Sequence, residues 1–151
     1  MLVQKRNNNT EEVSFDKILT RIKLLCIGDS FNKKLSIDPT IIAQKVCTEL
    51  YDGVSTSQLD ILAAEISISL YSQNLEYADL ASRIVISNHQ KKTSNIFSDI
   101  IDILYNNDII KEYLYNLVKD NKELINNKID YNRDYNIVFF GFKTLEKSYL
   151  L

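Results

Sequence analysis

The scarcity of glycine and proline is the feature that most constrains this fold. The 151 residues include three glycines and one proline, which leaves few positions suited to the tight turns of an all-β fold. Hydrophobic residues make up 45% of the chain and charged residues 25%, a balance typical of globular domains with a sizeable core. The composition therefore predicts a mainly α-helical protein of one domain, or one domain and a piece of another.

Net charge and cysteine content exclude several classes of protein. A formal charge of -2 creates no overall field that would recruit nucleic acid or a membrane, so an anion site must be built from a few converging cations. No stretch approaches the ~20 apolar residues of a membrane span, and no signal peptide is present, so we expect a cytoplasmic protein. Cys26 and Cys47 are isolated at apolar positions of helical patterns, which favours two buried small hydrophobes and no metal site.

The hydrophobic patterns of residues 1–92 predict a β-hairpin followed by four helices. Residues 2–6 and 11–15 alternate weakly, and Asn7, Asn8 and Asn9 between them favour a turn, because Asn tolerates the left-handed backbone that a tight hairpin needs. From Asp16 the apolar period is helical. The apolar positions of the four helices are Ile18, Ile22, Leu25 and Cys26; Ile42, Val46 and Leu50; Leu59, Leu62, Ala63, Ile66 and Leu70; and Tyr77, Leu80, Ala81, Ile84 and Val85. We expect a four-helix bundle with the hairpin as a lid.

Helix boundaries are marked by capping and breaking residues. Gly28 is expected to end the first helix, the Asp38-Pro39 pair to begin the second, and Gly53 to end it. Ser55 with Gln58 three residues later is the pattern of a capping box, and it predicts the start of the third helix.

Residues 93–151 form a second predicted region. Two further helices are indicated by Phe97, Ile100, Ile101 and Leu104, and by Ile110, Leu114, Leu117 and Val118. The segment DYNRDYNIVFFGFKTLEKSYLL then carries an aromatic cluster and finishes on an apolar run. An apolar helix face at the end of a domain would be open to water, so we expect this end to contact a part of the protein that is missing.

Three features of residues 1–92 point to a site for an anion. Lys5 and Arg6 end the first predicted strand. The helix that begins after Ser55 offers backbone N–H groups and the positive end of its dipole, with Thr56 in its first turn and Asp60 four residues later. Lys91 falls at the end of the next helix, which lies beside this start if the two helices are antiparallel neighbours.

A hairpin packed over this end of the bundle would add Lys17 to the same place. Four cations around a helix N-terminus suit a triphosphate, and the carboxylates of Glu11 and Asp60 could accept hydrogen bonds from an amino group and a ribose hydroxyl. The alternative is that these charges form an ordinary solvated face of a helical bundle.

Several stretches of the chain resemble one known family. Residues 1–92 contain VQKR, EEVSFDKI, LYDGVSTSQLDILAAE and YADLASRIVISNHQKKT, which are similar to the ATP-cone, the N-terminal regulatory domain of ribonucleotide reductase large subunits. The later stretches NIFSDIIDILYN and YNRDYNIVFFGFKTLEKSYLL resemble the segment that leads from the cone into the catalytic barrel in the eukaryotic and viral class I form. The resemblance spans essentially the whole chain.

The resemblance implies a function and a set of contacts. The cone of this family binds ATP or dATP as an allosteric effector, with Mg²⁺; ATP switches the reductase on, and dATP switches it off by changing its oligomeric state. The implied partners are the rest of the large subunit, the small radical subunit and further copies of the chain. The implied nucleotide contacts are Lys5, Arg6, Thr56 and Lys91 to phosphate, Glu11, Glu12, Val13, Ser14, Phe15, Asp16 and Lys17 along the adenine edge, and Asp60 to ribose.

The chain departs from the family pattern at four places. The three asparagines of the hairpin turn stand where the family has a basic, an acidic and a glycine residue, and the loop before Asp38 is longer. Asn74-Leu75 replaces a His-Pro pair. His89 stands where an apolar residue is common, and it is interpreted either as an exposed or capping histidine or as a pH-dependent contact near the site.

The family's radical cysteine, redox cysteines, catalytic Asn and Glu, and substrate-specificity site all lie further along its chain. With Cys26 and Cys47 alone, we expect these 151 residues to be a fragment, a split-gene product or a truncated reading frame that is inactive by itself. The four clustered cysteines of the cone-containing transcriptional repressor are absent. A helical protein-interaction module whose nucleotide site has decayed is the alternative function.

Overall fold

The computed structural model describes residues 1–28, 31 and 33–150. Over these residues most of the chain is helical, and short strands occur near the N-terminus and before residue 56, so the predicted mainly α fold is confirmed. The chain divides into two compact units: Met1–Asn88 with the segment that starts at Asp134, and His89–Arg133. The predicted domain boundary at residue 92 stays a prediction.

The first unit contains a small sheet in which the first strand of the chain lies in the middle. Strands β1 (Leu2–Gln4) and β2 (Thr10–Glu12) are antiparallel and form the predicted hairpin. The turn closes without glycine: Asn8 takes a positive φ of 64°, and the Lys5 N–H donates to the Asn9 carbonyl over 2.7 Å. The strands are shorter than the alternation predicts, so Lys5 and Arg6 belong to the turn.

A strand that the sequence did not reveal completes the sheet. Strand β3 (Val54–Ser55) pairs in parallel with β1, with Val54 opposite Val3. Two residues are too short to show a period of two, and the partner strand lies about fifty positions away. Gly53, with a φ of +80°, makes the turn into β3. The prediction that Gly53 ends the second helix is therefore wrong.

Four helices follow in the first part of the chain: α1 (Phe15–Ile27), α2 (Pro39–Thr48), α3 (Thr56–Ser69) and α4 (Glu76–Gln90). Helix α1 is capped by Ser14, whose hydroxyl accepts from the Lys17 N–H, and the Asp38 carboxylate accepts from the Thr40 N–H at the start of α2. The predicted capping box of α3 is present, because Ser55 Oγ accepts from the Gln58 N–H and Gln58 Oε1 accepts from the Ser55 N–H.

The core of the first unit is built from one face of each of these helices. Its most deeply buried side chains are Ile22, Ile42, Leu80, Ile84, Val46 and Cys26. Buried Arg83 of α4 fills the space at the end of α1, where its guanidinium donates to the carbonyls of Leu25, Cys26 and Lys33 and stacks on the Phe31 ring. The bundle therefore ties the C-terminus of α1 to α4 by hydrogen bonds as well as by apolar contact.

The second unit holds three helices, α5 (Phe97–Asn106), α6 (Glu112–Asp120) and α7 (Lys122–Lys128). Tyr105 stacks on Tyr115 with 4.1 Å between ring centroids, and Ser98 exchanges two hydrogen bonds with Asn126. Helix α7 carries mostly polar residues, so apolar periodicity did not predict it. A 3-10 helix, Tyr131–Asn136, follows along the chain.

Helix α8 (Phe139–Ser148) lies in the tail. Phe139 and Phe142 are buried in the core of the first unit, and the Phe139 N–H donates to Ser82 Oγ over 2.9 Å. The aromatic cluster is thus partly covered by the core of the first unit, whereas the final apolar run, which was expected to be open to water, is exposed at Tyr149 and Leu150. Phe140 and Tyr149 remain exposed at 66% and 75%. In the described part of the chain, no helix has the length and apolar character that crossing a membrane requires.

Candidate functional site

A buried carboxylate on α3 gathers basic side chains from two other elements. Asp60 is 8% exposed. Its Oδ2 accepts from Arg6 Nη2 of the hairpin turn over 3.1 Å and from Arg21 Nη2 of α1 over 3.3 Å, and its Oδ1 accepts from Arg21 Nε over 3.3 Å. The carboxylate therefore lies between two guanidinium groups and is not part of a solvated face.

The same cluster reaches α4. Arg6 Nη2 also donates to Asn88 Oδ1, which accepts a further hydrogen bond of 3.2 Å from Ser57 Oγ in the first turn of α3. Arg21 Nη2 donates to Ser87 Oγ over 2.8 Å. These contacts place the hairpin turn against the start of α3 and the last turns of α4, as the lid interpretation predicts.

A second group of charges lies along the hairpin and the start of α1. Glu11 Oε2 is 2.7 Å from Lys5 Nζ and 3.0 Å from Lys17 Nζ. The hydrogen bond from Lys5 and then that from Lys17 hold the pKa of Glu11 below its usual value. The two lysine side chains are 43% and 65% exposed, so both can exchange this partner for another anion at small cost.

The start of α3, next to Arg6, has features that favour a bound anion. The capping box fixes the first helical turn, in which Thr56 and Ser57 lie. Backbone N–H groups of a first turn and the positive end of the helix dipole favour a bound anion. Arg6 reaches the side chain of Asn88, which Ser57 also contacts. The structure therefore brings Lys5, Arg6, Glu11, Lys17 and Asp60 to one end of the first unit, and Thr56 to the helix start beside them.

The remaining predicted contacts are placed as follows. Glu12 closes β2, and the Val13 N–H donates to the Met1 carbonyl over 3.1 Å. Ser14 caps α1, and Phe15 and Asp16 open that helix. Lys91 follows α4 directly, belongs to the second unit and is exposed; its part in the site stays a prediction. His89 lies half-buried in the last turn of α4, also in the second unit.

Four polar residues of the cluster were not predicted: Arg21, Ser57, Ser87 and Asn88. Arg21 follows Lys17 by four residues, so the two share one face of α1, and this spacing was the available signal. Ser87 and Asn88 are the last two residues of the buried stretch of α4, but in the sequence they look like ordinary polar positions at the end of a helix. Among the described residues, no group of three or more His, Cys, Asp or Glu side chains could hold a metal ion.

Comparison with known proteins identifies the family. The model of the ATP cone domain matches residues 1–92. The chain belongs to the ATP-cone family. The resemblance seen in the sequence is thus confirmed, and the matched residues include the hairpin, α1 to α4 and every predicted contact.

Known relatives of this ATP-cone chain are much longer proteins. It is similar to the ribonucleoside-diphosphate reductase large subunits of Monkeypox virus and Danio rerio, at 44% and 43% identity, and to the large chain of Schizosaccharomyces pombe, at 40% identity. Each similarity covers 100% of this chain and 20%, 20% and 19% of the relatives, respectively. The chain thus spans about a fifth of their length.

Proposed function

We propose that this chain binds an adenine nucleotide, ATP or dATP, as the allosteric region of a ribonucleoside-diphosphate reductase large subunit. The observation that carries the proposal is the position of Arg6. The side chain of Arg6 extends from the hairpin turn and contacts Asp60 on α3 and Asn88 on α4. These contacts lie beside the capped start of α3, in a chain of the ATP-cone family. A nucleotide at this end of the unit would meet the basic hairpin turn on one side and a helix N-terminus on the other.

The proposed contacts divide the nucleotide into three parts. Phosphates would bind Lys5, Arg6, Thr56 and Lys91, and the adenine edge would lie along residues 11–17. The ribose would be held by Asp60, since a carboxylate accepts strong hydrogen bonds from hydroxyl groups. Mg²⁺ would arrive with the triphosphate, because Mg²⁺ in nucleotide sites is commonly held by substrate phosphates and water.

Binding would proceed by exchange of anions. Lys5 and Lys17 are paired with Glu11, and Arg6 with Asp60. A triphosphate carries more charge than either carboxylate, so it can draw the cations from these pairs. The lysine pairs are exposed, and such pairs contribute at most about 1 kcal/mol each, so their loss would reduce the nucleotide affinity only slightly.

The consequences of binding belong to the complete enzyme. We propose that ATP activates and dATP inhibits reduction of ribonucleotides by changing the association of large subunits, and that the small radical subunit acts through the same assembly in the cytoplasm. The catalytic residues would lie in a part of the large subunit that this chain does not include, since the relatives are about five times longer.

Thermal unfolding of the purified chain with ATP, dATP and GTP tests nucleotide binding. At about 100 times its dissociation constant a ligand stabilises the folded state by about 2.7 kcal/mol, which corresponds to a rise in melting temperature of roughly 5–10 °C at this size. GTP should stabilise less, because its 6-oxo group cannot donate to Glu11.

Two lysines of α1 provide a matched pair of variants for this test. Lys17→Gln should weaken ATP binding, whereas Lys23→Gln, which removes an exposed lysine of the same helix, should not. Absence of any shift with millimolar ATP and dATP would refute the proposal and leave the helical interaction module as the function.

A further inference from the structure

The two arginines that contact Asp60 do so in different ways. Arg21 belongs to helix α1 and presents Nε and Nη2 side-on to both carboxylate oxygens, while the same Nη2 donates to Ser87 Oγ on α4. Arg6 belongs to the hairpin turn and contacts one oxygen through a single nitrogen. A side-on pair fixes the plane of a carboxylate, whereas a single contact does not.

We propose that Arg21 is a positioning residue of the nucleotide site, which holds the Asp60 carboxylate so that Arg6 can leave it for a phosphate. This inference rests on the proposed function and adds to it a different role for each of the two arginines. Arg21 would be the permanent partner of Asp60, and Arg6 the exchangeable one.

Burial makes a permanent partner necessary. The Asp60 side chain is 10% exposed, and a buried carboxylate that loses its cation is strongly destabilised. When Arg6 moves to a phosphate, Arg21 remains and keeps Asp60 ionised and oriented. Without Arg21, Arg6 would have to stay with Asp60, and the site would lose one of its phosphate contacts.

The position of Arg21 also suits this role. It lies four residues after Lys17 on α1, which places it one helical turn away from the hairpin and Glu11. Its side chain is 25% exposed, compared with 31% for Arg6, and its guanidinium group contacts both Asp60 of α3 and Ser87 of α4. Movement of the hairpin turn therefore does not require Arg21 to move.

A double-mutant cycle between Arg6 and Arg21 tests the inference. Dissociation constants of ATP and dATP would be measured by calorimetry for wild type, Arg6→Gln, Arg21→Gln and the double variant, at a temperature well below each melting point. We expect Arg21→Gln to weaken both nucleotides by about tenfold, the loss of one charge-assisted contact. Arg6→Gln should weaken nucleotide binding about tenfold in wild type but about twofold or less in the Arg21→Gln background, because in that background Arg6 is already committed to Asp60.

Three further variants separate positioning from a purely structural role. Arg21→Lys keeps the charge but cannot form the side-on pair, so it should restore stability more than affinity. Ser87→Ala keeps the pair of Arg21 with Asp60 and removes only the hydrogen bond of Arg21 to α4. It should weaken the binding of both nucleotides by about twofold to threefold, and it remains informative if Arg21→Gln does not fold. Lys23→Gln, on the exposed face of α1, should bind as wild type.

The outcomes distinguish the two hypotheses. If Arg21→Gln lowers the melting temperature but leaves both dissociation constants unchanged, or if Arg6→Gln costs the same in both backgrounds, Arg21 is only a structural brace. If Arg21→Gln does not fold and Ser87→Ala binds as wild type, the inference is refuted as well. A wild-type chain that binds neither ATP nor dATP would refute the proposed function and the inference with it.

Discussion

Replacement of Asp60 by asparagine is the most informative single change in this protein. Asp60→Asn preserves the shape of the side chain but removes its charge and one of its two acceptor oxygens. Three N–H groups of Arg6 and Arg21 point at these oxygens. The new amide can accept at one oxygen only, and its NH₂ group would then face an arginine donor. At least one guanidinium contact is lost in either orientation of the amide.

The cost to stability follows from the burial of the cluster. Exposed ion pairs contribute about 1 kcal/mol or less, and breaking a fully buried pair costs about 3–5 kcal/mol. The side chains of Asp60, Arg21 and Arg6 are 10%, 25% and 31% exposed, so this cluster is intermediate between an exposed and a fully buried ion pair. We expect a loss of about 2–3 kcal/mol, or a fall in melting temperature of roughly 5–10 °C in the absence of nucleotide.

Stability alone does not decide whether Asp60 contacts the nucleotide, since the loss is expected in either case. The ratio of the dissociation constants for ATP and dATP decides it, because the two ligands differ only at the 2′-hydroxyl. A carboxylate that accepts from the sugar should lose about 1–2 kcal/mol of that contact as an amide, and the ratio and the oligomers formed with each nucleotide should change.

The assay combines calorimetry with ATP and dATP and light scattering of each complex, for wild type and Asp60→Asn. Glu65→Gln, an equivalent loss of charge at an exposed position of the same helix, is the control and should leave all values unchanged. If Asp60→Asn unfolds earlier but has the wild-type ATP-to-dATP ratio and oligomer populations, Asp60 supports the fold and does not sense the sugar.

Three other predictions concern the rest of the first unit. Arg83→Gln should cost about 2–3 kcal/mol of stability, measured by denaturant unfolding, without changing the ATP-to-dATP ratio; an unchanged midpoint would contradict this. Burial raises the pKa of Cys26 to about 11, so iodoacetamide at pH 8 should modify Cys47 first, as peptide mass spectrometry can show; faster modification of Cys26 would refute it. The hydrogen bond from the Ser36 N–H, and to a smaller extent that from Lys33, lowers the pKa of Glu76 below 4.5. The contribution of Glu76 to stability is therefore complete above pH 4.5 and disappears as the pH falls through the lowered pKa. Glu76→Gln should lose less stability in acid than wild type, and equal acid profiles would argue against it.

Local patterns predicted most of the helical structure. These patterns act within one or two helical turns, so a short stretch of sequence is enough to predict each helix. They are the serine–glutamine pair at Ser55, the proline at position 39 and the apolar positions of α1 to α4. Strand β3 and helix α7 lacked such a signal. Two residues cannot display alternation, and a polar helix of seven residues has no apolar face to recognise.

The sequence patterns singled out residues of the candidate site one at a time, but they did not predict the contacts between them. Arg6 and Asp60 are 54 positions apart, and no local pattern joins them. Arg21 and Ser87 are 66 positions apart, and each has an ordinary explanation on its own helix. Their meeting depends on how α1, α3 and α4 pack, which is determined by the apolar core and not by the polar residues themselves.

The ion pairs between basic residues and carboxylates explain how the proposed site can be stable without a nucleotide. Lys5 and Lys17 of the proposed nucleotide site are paired with Glu11, and Arg6 is paired with Asp60. These pairs prevent repulsion among the cations before a nucleotide arrives, and they hold the hairpin against the helices. A triphosphate would replace Glu11 on Lys5 and Asp60 on Arg6. Glu11 could then accept a hydrogen bond from the base, and Asp60, still held by Arg21, could accept one from the sugar. The same two carboxylates would therefore stabilise the free form and contact the base and the sugar of the ligand, so Asp60 could distinguish two effectors that differ by one sugar hydroxyl.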